Sequence, residues 1–367
     1  MRFITGFCAV LSCLTMQAQN LVPNSSFEEY FSCPENFNTH HREFLLPGWR
    51  PANIGTPDHF HSCSWGACDV PFNWAGQSNP HSGSGYVGIY VWDNREEGRN
   101  YREYVQTSLL EKLQAGRKYR ISFYYRLASY AAWSIDRIGA HLSDTAFALP
   151  DDEVIRTSLE LSVVRSDAKP PDGWQLATVD YTARGGEQVL TIGNFFDNIT
   201  TRSRKVNLKK GKSPMLEHSS YYYIDDVSVE SLEPAPADSV VRWSDGKEVK
   251  PDEVYILQNI HFAFDSYKLM PNSFPELDKL VYLLQRRPQW LVELSGHTDD
   301  QGSDAYNLNL SGRRAAAVGE YLIRRGIGRE RIQSAGMGKR KPLVPGTDEQ
   351  SRQLNRRVEA RFILQQP

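Results

Sequence analysis

The chain has 367 residues, of which 40% are hydrophobic, enough for two globular domains that each bury a core. Its net charge of −2 lacks the basic excess expected of a nucleic-acid binder. Beyond the first residues no apolar run approaches the roughly 20 residues that a membrane-spanning helix requires. Residues 1–18 read as a secretory signal, with Arg2 at its positive start, Ile4 to Leu14 as its apolar middle and Met16-Gln17-Ala18 as its exit. A rival reading makes Val10-Leu11-Ser12-Cys13 a lipobox and Cys13 a lipidated first residue.

Export carries the remaining thiols, Cys33, Cys63 and Cys68, into an oxidising compartment where disulfides persist. Three thiols cannot all pair within one chain. Cys33 with Cys63 is the expected pair, leaving Cys68 free or as an alternative partner. His59 and His61 do not complete a zinc-ligand spacing with these cysteines.

Residues 19–232 read as all-β. Short alternating runs recur between Gly, Pro, Asn and Asp clusters: YVGIYVW, YREYVQTSL, YRISFYYRL, RIGAHLS, WQLATVDYTA, QVLTIGNF and YYYIDDVSV. Such a segment must close as a sandwich or a barrel. Trp65, Trp74, Tyr90 and Trp92 offer flat faces for sugar rings if they are exposed, and core packing if they are not. A Pro-containing linker follows at 233–252, stiffened by Pro-Ala-Pro. Asp238-Ser239-Val240 in the linker, and Asp144-Thr145-Ala146 earlier, match a short acceptor pattern for O-glycosylation.

Residues 253–367 alternate strands and helices. A strand is expected over Ile256 to Phe264 and an amphipathic helix over Ser273 to Arg287, with Leu277, Leu280, Val281 and Leu284 on its buried stripe. Strand Trp290 to Ser295 then enters a polar turn, His297 to Gly302. The next helix carries Leu308, Ala315, Val318 and Leu322 on its apolar stripe. Strands over Ile332 to Met337 and Val358 to Leu364 complete a two-layer α+β domain. Asn307 and Arg314 stand two helical turns apart and share one face, with Asp299 in the turn before them. An anion and a cation above one surface suit a small zwitterion.

The ordered set of strand NIHFAFDS, the GHTD turn, YN, LS and RRA on the helix, then GMGKRKP and NRRVE, resembles the OmpA-like peptidoglycan-binding domain. That module is shared with Pal-type lipoproteins and flagellar stator proteins. The resemblance implies binding of meso-diaminopimelate in the peptidoglycan stem peptide, with Asp299 taking the ligand amine and Arg314 its free carboxylate. It places Thr298, Asn307, Leu310, Asn355, Arg356 and Arg357 in the same pocket, although Leu310 also reads as core. The sequence departs from the family pattern at Gly346, where asparagine is common, and at Ser351, where glycine is usual. The β-region, more loosely, resembles a galactose-binding-like jelly roll of the kind used in carbohydrate-binding modules. LVPNSSFEEY matches its opening strand, and PHSGSGYVG, LQAGRKYRISFYYRL and YYYIDDVSV follow in order. A structural calcium held by Glu28 with Asp225 or Asp226 is compatible with that resemblance, as is a strand cap made by the Asp pair. No other cofactor and no catalytic metal is implied.

Together these readings describe a non-enzymatic protein of the Gram-negative cell envelope, periplasmic or outer-membrane associated. It would bind peptidoglycan through the C-terminal domain and an envelope glycan or protein through the β-domain. The alternatives are an outer-membrane β-barrel carrying a periplasmic anchor domain, and a glycan-cleaving enzyme using two of Glu28, Asp58, Asp69 and Asp93.

Overall fold

The computed structural model describes residues 19–44, 46–96, 98–157, 161–162, 173–206, 213–233, 243, 247–263 and 265–365. The segment read as a secretory signal, the Pro-Ala-Pro run and the linker match to the acceptor pattern lie outside them.

Ten of the strands described in the N-terminal region, taken in chain order, build its two large sheets. They are β1 (Trp49–Pro51), β2 (Asp58–His61), β3 (Gly85–Asp93), β4 (Val105–Ser108), β5 (Lys118–Leu127), β6 (Gly139–Ser143), β7 (Leu161–Ser162), β8 (Gln175–Thr182), β9 (Val189–Gly193) and β10 (Ser219–Ser231). They pair antiparallel in two five-stranded sheets, ordered β1-β4-β9-β6-β7 and β8-β5-β10-β3-β2. Each of the seven runs singled out in the sequence supplies one of these strands. Alternate residues explain why the sheets face each other: Val87, Ile89 and Val91 from β3 meet Ile121 and Phe123 from β5 and Leu190 and Ile192 from β9 in one core. Two open sheets stacked across a core replace the single closed barrel of the alternative reading.

The outer face of the second sheet is also covered. Tyr86, Tyr90, Tyr221 and Tyr223 pack with Phe60, Cys68, Ala75 and Leu216 in a second cluster. The 62–81 loop lies over that face, with Trp74 5.0 Å from Tyr221 between ring centroids. Cys33 and Cys63 form a disulfide with an S–S distance of 2.06 Å, tethering this loop to the 31–35 segment. Cys68 is a buried free cysteine.

The C-terminal domain contains β11 (Val254–Leu257), α1 (Phe274–Arg286), β12 (Trp290–His297), α2 (Asp304–Arg324), β13 (Ile332–Gly338), α3 (Glu349–Asn355) and β14 (Val358–Leu364). Its sheet runs β11-β14-β12-β13, with only the β12–β13 pair parallel. Trp243 and Val249, from the sequence-assigned linker, join its core.

The first strand is shorter than its sequence pattern suggests. Leu257 ends it, and the following alternation bends back on itself: Met270 N donates to His261 O at 2.9 Å and Ala263 N to Lys268 O at 3.0 Å. Ile260 is buried there without any pairing to the sheet. The stripe on α2 also shifts, because Leu308 is 40% exposed while Ser311, Ala315 and Val318 are fully buried. Small residues are needed at this contact: a Cβ on Gly296 would lie 2.1 Å from Ser311 O, and one on Gly336 2.4 Å from Leu308 O. Among the described residues no helix is long and apolar enough to cross a membrane.

Candidate ligand cavity

The end of β12, the N-terminal half of α2, the 258–263 segment with Asp265, and α3 enclose an open cavity of about 700 Å³. His297, Thr298 and Asp299 form its floor, Asn307, Leu310 and Arg314 one wall, and Arg352, Arg356 and Arg357 the opposite wall. Backbone bonds fix the floor: His297 N donates to Arg357 O at 2.9 Å and Thr298 N to Gly338 O at 3.1 Å. Ser303 starts α2 as an N-cap, its side chain accepting from Tyr306 N. Asn307, 2% exposed, spans the turn by donating to Gln301 O at 2.6 Å.

Arg314 is held from behind. Its Nε donates to Ser266 O at 3.0 Å, and its guanidinium lies 5.0 Å from the centre of the Phe262 ring. No carboxylate among the described residues makes an ion pair with it. Burial lowers its pKa below the usual arginine value, with Asp299 acting in the opposite sense. A desolvated guanidinium without an ion-pair partner attracts an anion strongly. Asp299 is paired: Oδ2 lies 2.8 Å from Arg356 Nη1, and Arg356 Nη2 lies 2.7 Å from Glu349 Oε1. Thr298 Oγ1 is buried and has no hydrogen-bond partner.

Two other residues have structural work. Asn355 does not line the cavity: its Oδ1 accepts from Leu343 N at 2.7 Å and Val344 N at 3.1 Å, and its Nδ2 donates to Val344 O at 3.0 Å. A polar residue in such a motif reads as a ligand contact, whereas two backbone amides of the 343–344 loop need that oxygen. Arg357 lines the cavity while pairing with Glu359 Oε1 at 2.7 Å. His297 Nε2 also approaches Glu359 Oε2, at an ion-pair distance of 3.2 Å. These neighbours, His297 foremost and then Arg357 against the opposing effect of burial, hold the Glu359 carboxyl down at about 2.

Sequence reasoning missed Ser266, Phe262 and the contact of Tyr306 Oη with Asp265, which together hold Phe262, Asp265 and Ser266 against α2. The bent alternation after Leu257 was the one available signal. The two departures from the family pattern prove to be neighbours. A Cβ at Gly346, whose φ is +140°, would lie 2.4 Å from Ser351 Oγ, and that hydroxyl donates to Asp348 Oδ2 at 2.6 Å.

In the β-domain Tyr90 and Trp92 are buried and Trp74 is packed against Tyr221, leaving Trp65, 98% exposed, as the one accessible ring of that set. The suggested calcium ligands are engaged by the chain itself. Glu28 Oε1 accepts from Ser84 N at 2.7 Å and Gly85 N at 2.9 Å, while Asp225 Oδ2 accepts from His81 N at 2.8 Å. Asp226 Oδ1 accepts from Ser82 Oγ at 2.7 Å. The strand-capping reading fits these contacts, and among the described residues no three His, Cys, Asp or Glu side chains converge as metal ligands.

The fold and cavity define an α+β domain with a charged cavity, in which the desolvated Arg314 and the carboxylate of Asp299 line one surface. The chain belongs to the OmpA family, whose pattern matches residues 261–356. It is 34% identical over 117 residues to a peptidoglycan-associated lipoprotein of Pseudomonas putida, covering 32% of this chain and 70% of that protein. It is 39% identical over 102 residues to outer membrane porin F of Pseudomonas fluorescens, covering 28% of this chain. The chain spans 31% of that porin's length, so the likeness concerns one domain. A crystal structure of the peptidoglycan-associated lipoprotein from Burkholderia pseudomallei is 34% identical, covering 28% of this chain and 87% of that one, with a TM-score of 0.27.

Proposed function

We propose that this is a non-catalytic cell-envelope protein that holds peptidoglycan in the cavity of its C-terminal domain. The observation that carries the reading is the juxtaposition, in one cavity, of Asp299 with a desolvated Arg314 that has no ion-pair partner among the described residues. The free end of a diaminopimelate residue bears an amine and a carboxylate on one carbon. Arg314 takes the carboxylate through its terminal nitrogens, its Nε already being committed to Ser266 O. The amine goes to Asp299, where Arg356 now supplies the positive charge. Thr298 Oγ1 gains the partner it lacks. Asn307 and Leu310 shape the wall, and Arg356 and Arg357 bound the far side.

The β-domain, in this reading, is a jelly roll that meets an envelope glycan or protein partner. Trp65, exposed beside the Cys33–Cys63 disulfide, is the contact we assign to it. The reading of the cavity is tested by competition. A stem peptide carrying meso-diaminopimelate should release the protein from isolated sacculi, and the same peptide with lysine in its place, whose side chain ends in an amine without a carboxylate, should not. Equal release by the lysine peptide would remove Arg314–carboxylate pairing from the account.

A further inference from the structure

The two domains are joined by a linker, yet they also meet across a built interface. Tyr282 of α1, 5% exposed, packs into the core of the β-domain. Arg286, one turn on, lies 2.6 Å from Glu111 Oε2 and donates to Tyr282 Oη at 2.7 Å. Beside these, Arg325 at the end of α2 places Nη2 2.5 Å from Glu29 Oε1 and 3.0 Å from Asp278 Oδ1. Tyr321 Oη lies 2.8 Å from Asp278 Oδ1 and 3.0 Å from Glu29 Oε1.

This cluster is short of one positive charge and one hydrogen. Two carboxylates face a single guanidinium, and the one hydroxyl hydrogen of Tyr321 has two acceptors. Tyr321 Oη already accepts from Arg325 Nε and Nη2, and a proton on Glu29 supplies both deficits, balancing the charge and giving the Glu29–Tyr321 contact the hydrogen it lacks. A cleft of about 440 Å³, lined from both domains by Glu28, Glu29, Tyr30, Phe274, Tyr321 and Arg325, brings solvent to the cluster.

We propose that the β-domain and the C-terminal domain act as one docked unit, and that Glu29, Asp278, Tyr321 and Arg325 form a proton-dependent clamp between them that loosens above neutral pH. The proposal does not rest on the identity of the cavity's ligand. Burial is the main cause that lifts the Glu29 carboxyl to about 7 when docked, with Arg325 opposing and Asp278 reinforcing it. The remaining charged and titratable neighbours are occupied or remote from this exchange. Glu28 accepts from Ser84 N and Gly85 N. Tyr30 packs on the ring of His61 at 4.6 Å, with His59 beyond it held down at about 3 by burial and His61 also lowered. Arg324 lines the same cleft and lies over the Tyr321 ring, a second cation that makes no ion pair with Glu29 or Asp278 among the described residues.

The sign follows from linkage. A carboxyl whose pKa is raised on docking favours the docked state when protonated, and that advantage is lost as pH rises through the raised value. From the ordinary 4.5 to about 7, the docking constant should fall about 30-fold between pH 5.5 and 8.5. The clamp also stands apart from the cavity. Asn307 and Arg325 are separated by about 27 Å along α2 at 1.5 Å per residue, so one helix fixes the spacing between ligand and β-domain.

The test is small-angle scattering of the exported chain from pH 5.5 to 8.5, alongside Glu29→Gln, Arg325→Glu and the swap Glu29→Arg with Arg325→Glu. The wild type should be compact at pH 5.5 and expand above pH 7, and Glu29→Gln should stay compact throughout. Arg325→Glu should be expanded at every pH with both domains folded by circular dichroism, and the swap should restore compaction. A wild-type radius that does not change with pH overturns the proton dependence. An Arg325→Glu variant that is folded and as compact as wild type overturns the docking itself. If Arg325→Glu fails to fold, Glu29→Gln decides: a wild-type pH response in that variant sinks the clamp.

Discussion

Replacing Glu359 by Gln should weaken the C-terminal domain at neutral pH by up to ~3 kcal/mol. The carboxylate sits on β14 beneath the cavity, with Arg357 at 2.7 Å and His297 at 3.2 Å. Its carboxyl is depressed from 4.5 to about 2. Each pKa unit corresponds to about 1.36 kcal/mol, so the native contacts of the carboxylate contribute at most on the order of 3 kcal/mol when the side chain is ionised. Only 19% of the side chain is exposed, which limits screening by solvent. The sign is that of a depressed acid: the contribution is fully present above pH 4.5 and is lost as pH falls through about 2. The assay is urea unfolding at pH 7 and at pH 2.5, following the fluorescence of Trp243 and Trp290, which lie in this core. Wild type should lose most of its advantage over Glu359→Gln at the lower pH. Equal midpoints for the two proteins at pH 7 would refute the reasoning.

Two further outcomes concern the β-domain. Asp58, buried and bonded to Tyr221 Oη at 2.7 Å, has its carboxyl lifted by burial from 3.8 to about 8. It therefore destabilises the domain as pH rises toward 8, and Asp58→Asn should flatten the fall in melting temperature between pH 5 and 8.5; an unchanged pH slope would argue against it. Loss of the Cys33–Cys63 bridge, which closes 30 residues, should cost roughly 3–4 kcal/mol by loop entropy. Calorimetry of Cys33→Ser/Cys63→Ser would show no shift in the β-domain transition if the bridge merely decorates the surface.

Much of the C-terminal domain is legible in its residues. The strand expected over Val358 to Leu364 has those ends in the structure, and the helix expected over Ser273 to Arg287 runs from Phe274 to Arg286. Periodicity works there because one face is apolar and the other polar. It fails where packing is too close for large side chains, as on α2 against Gly296 and Gly336, so that Leu308 was placed inward and Ser311 was not. It fails again after Leu257, where alternating residues point to a core although the backbone pairs with residues 268–270. Asp299 and Arg314 could be placed on one surface from spacing alone. Asn355 could not be separated from them, since a buried asparagine that bonds the 343–344 backbone and one that bonds a ligand have the same sequence signature. The domain interface left no trace: Glu29, Asp278 and Arg325 are ordinary surface charges until the two domains bury them together.

The central claim is that charge pairing in the cavity holds peptidoglycan, and Arg314→Ala tests it most directly. Truncating one partner of a desolvated charge pair costs about 2–5 kcal/mol, a weakening of at least about 30-fold. The measurement is co-sedimentation of wild type and Arg314→Ala with isolated sacculi, with the fold of the variant checked by its unfolding transition. The account predicts a folded variant that stays in the supernatant. A folded variant that pellets as the wild type does would contradict it.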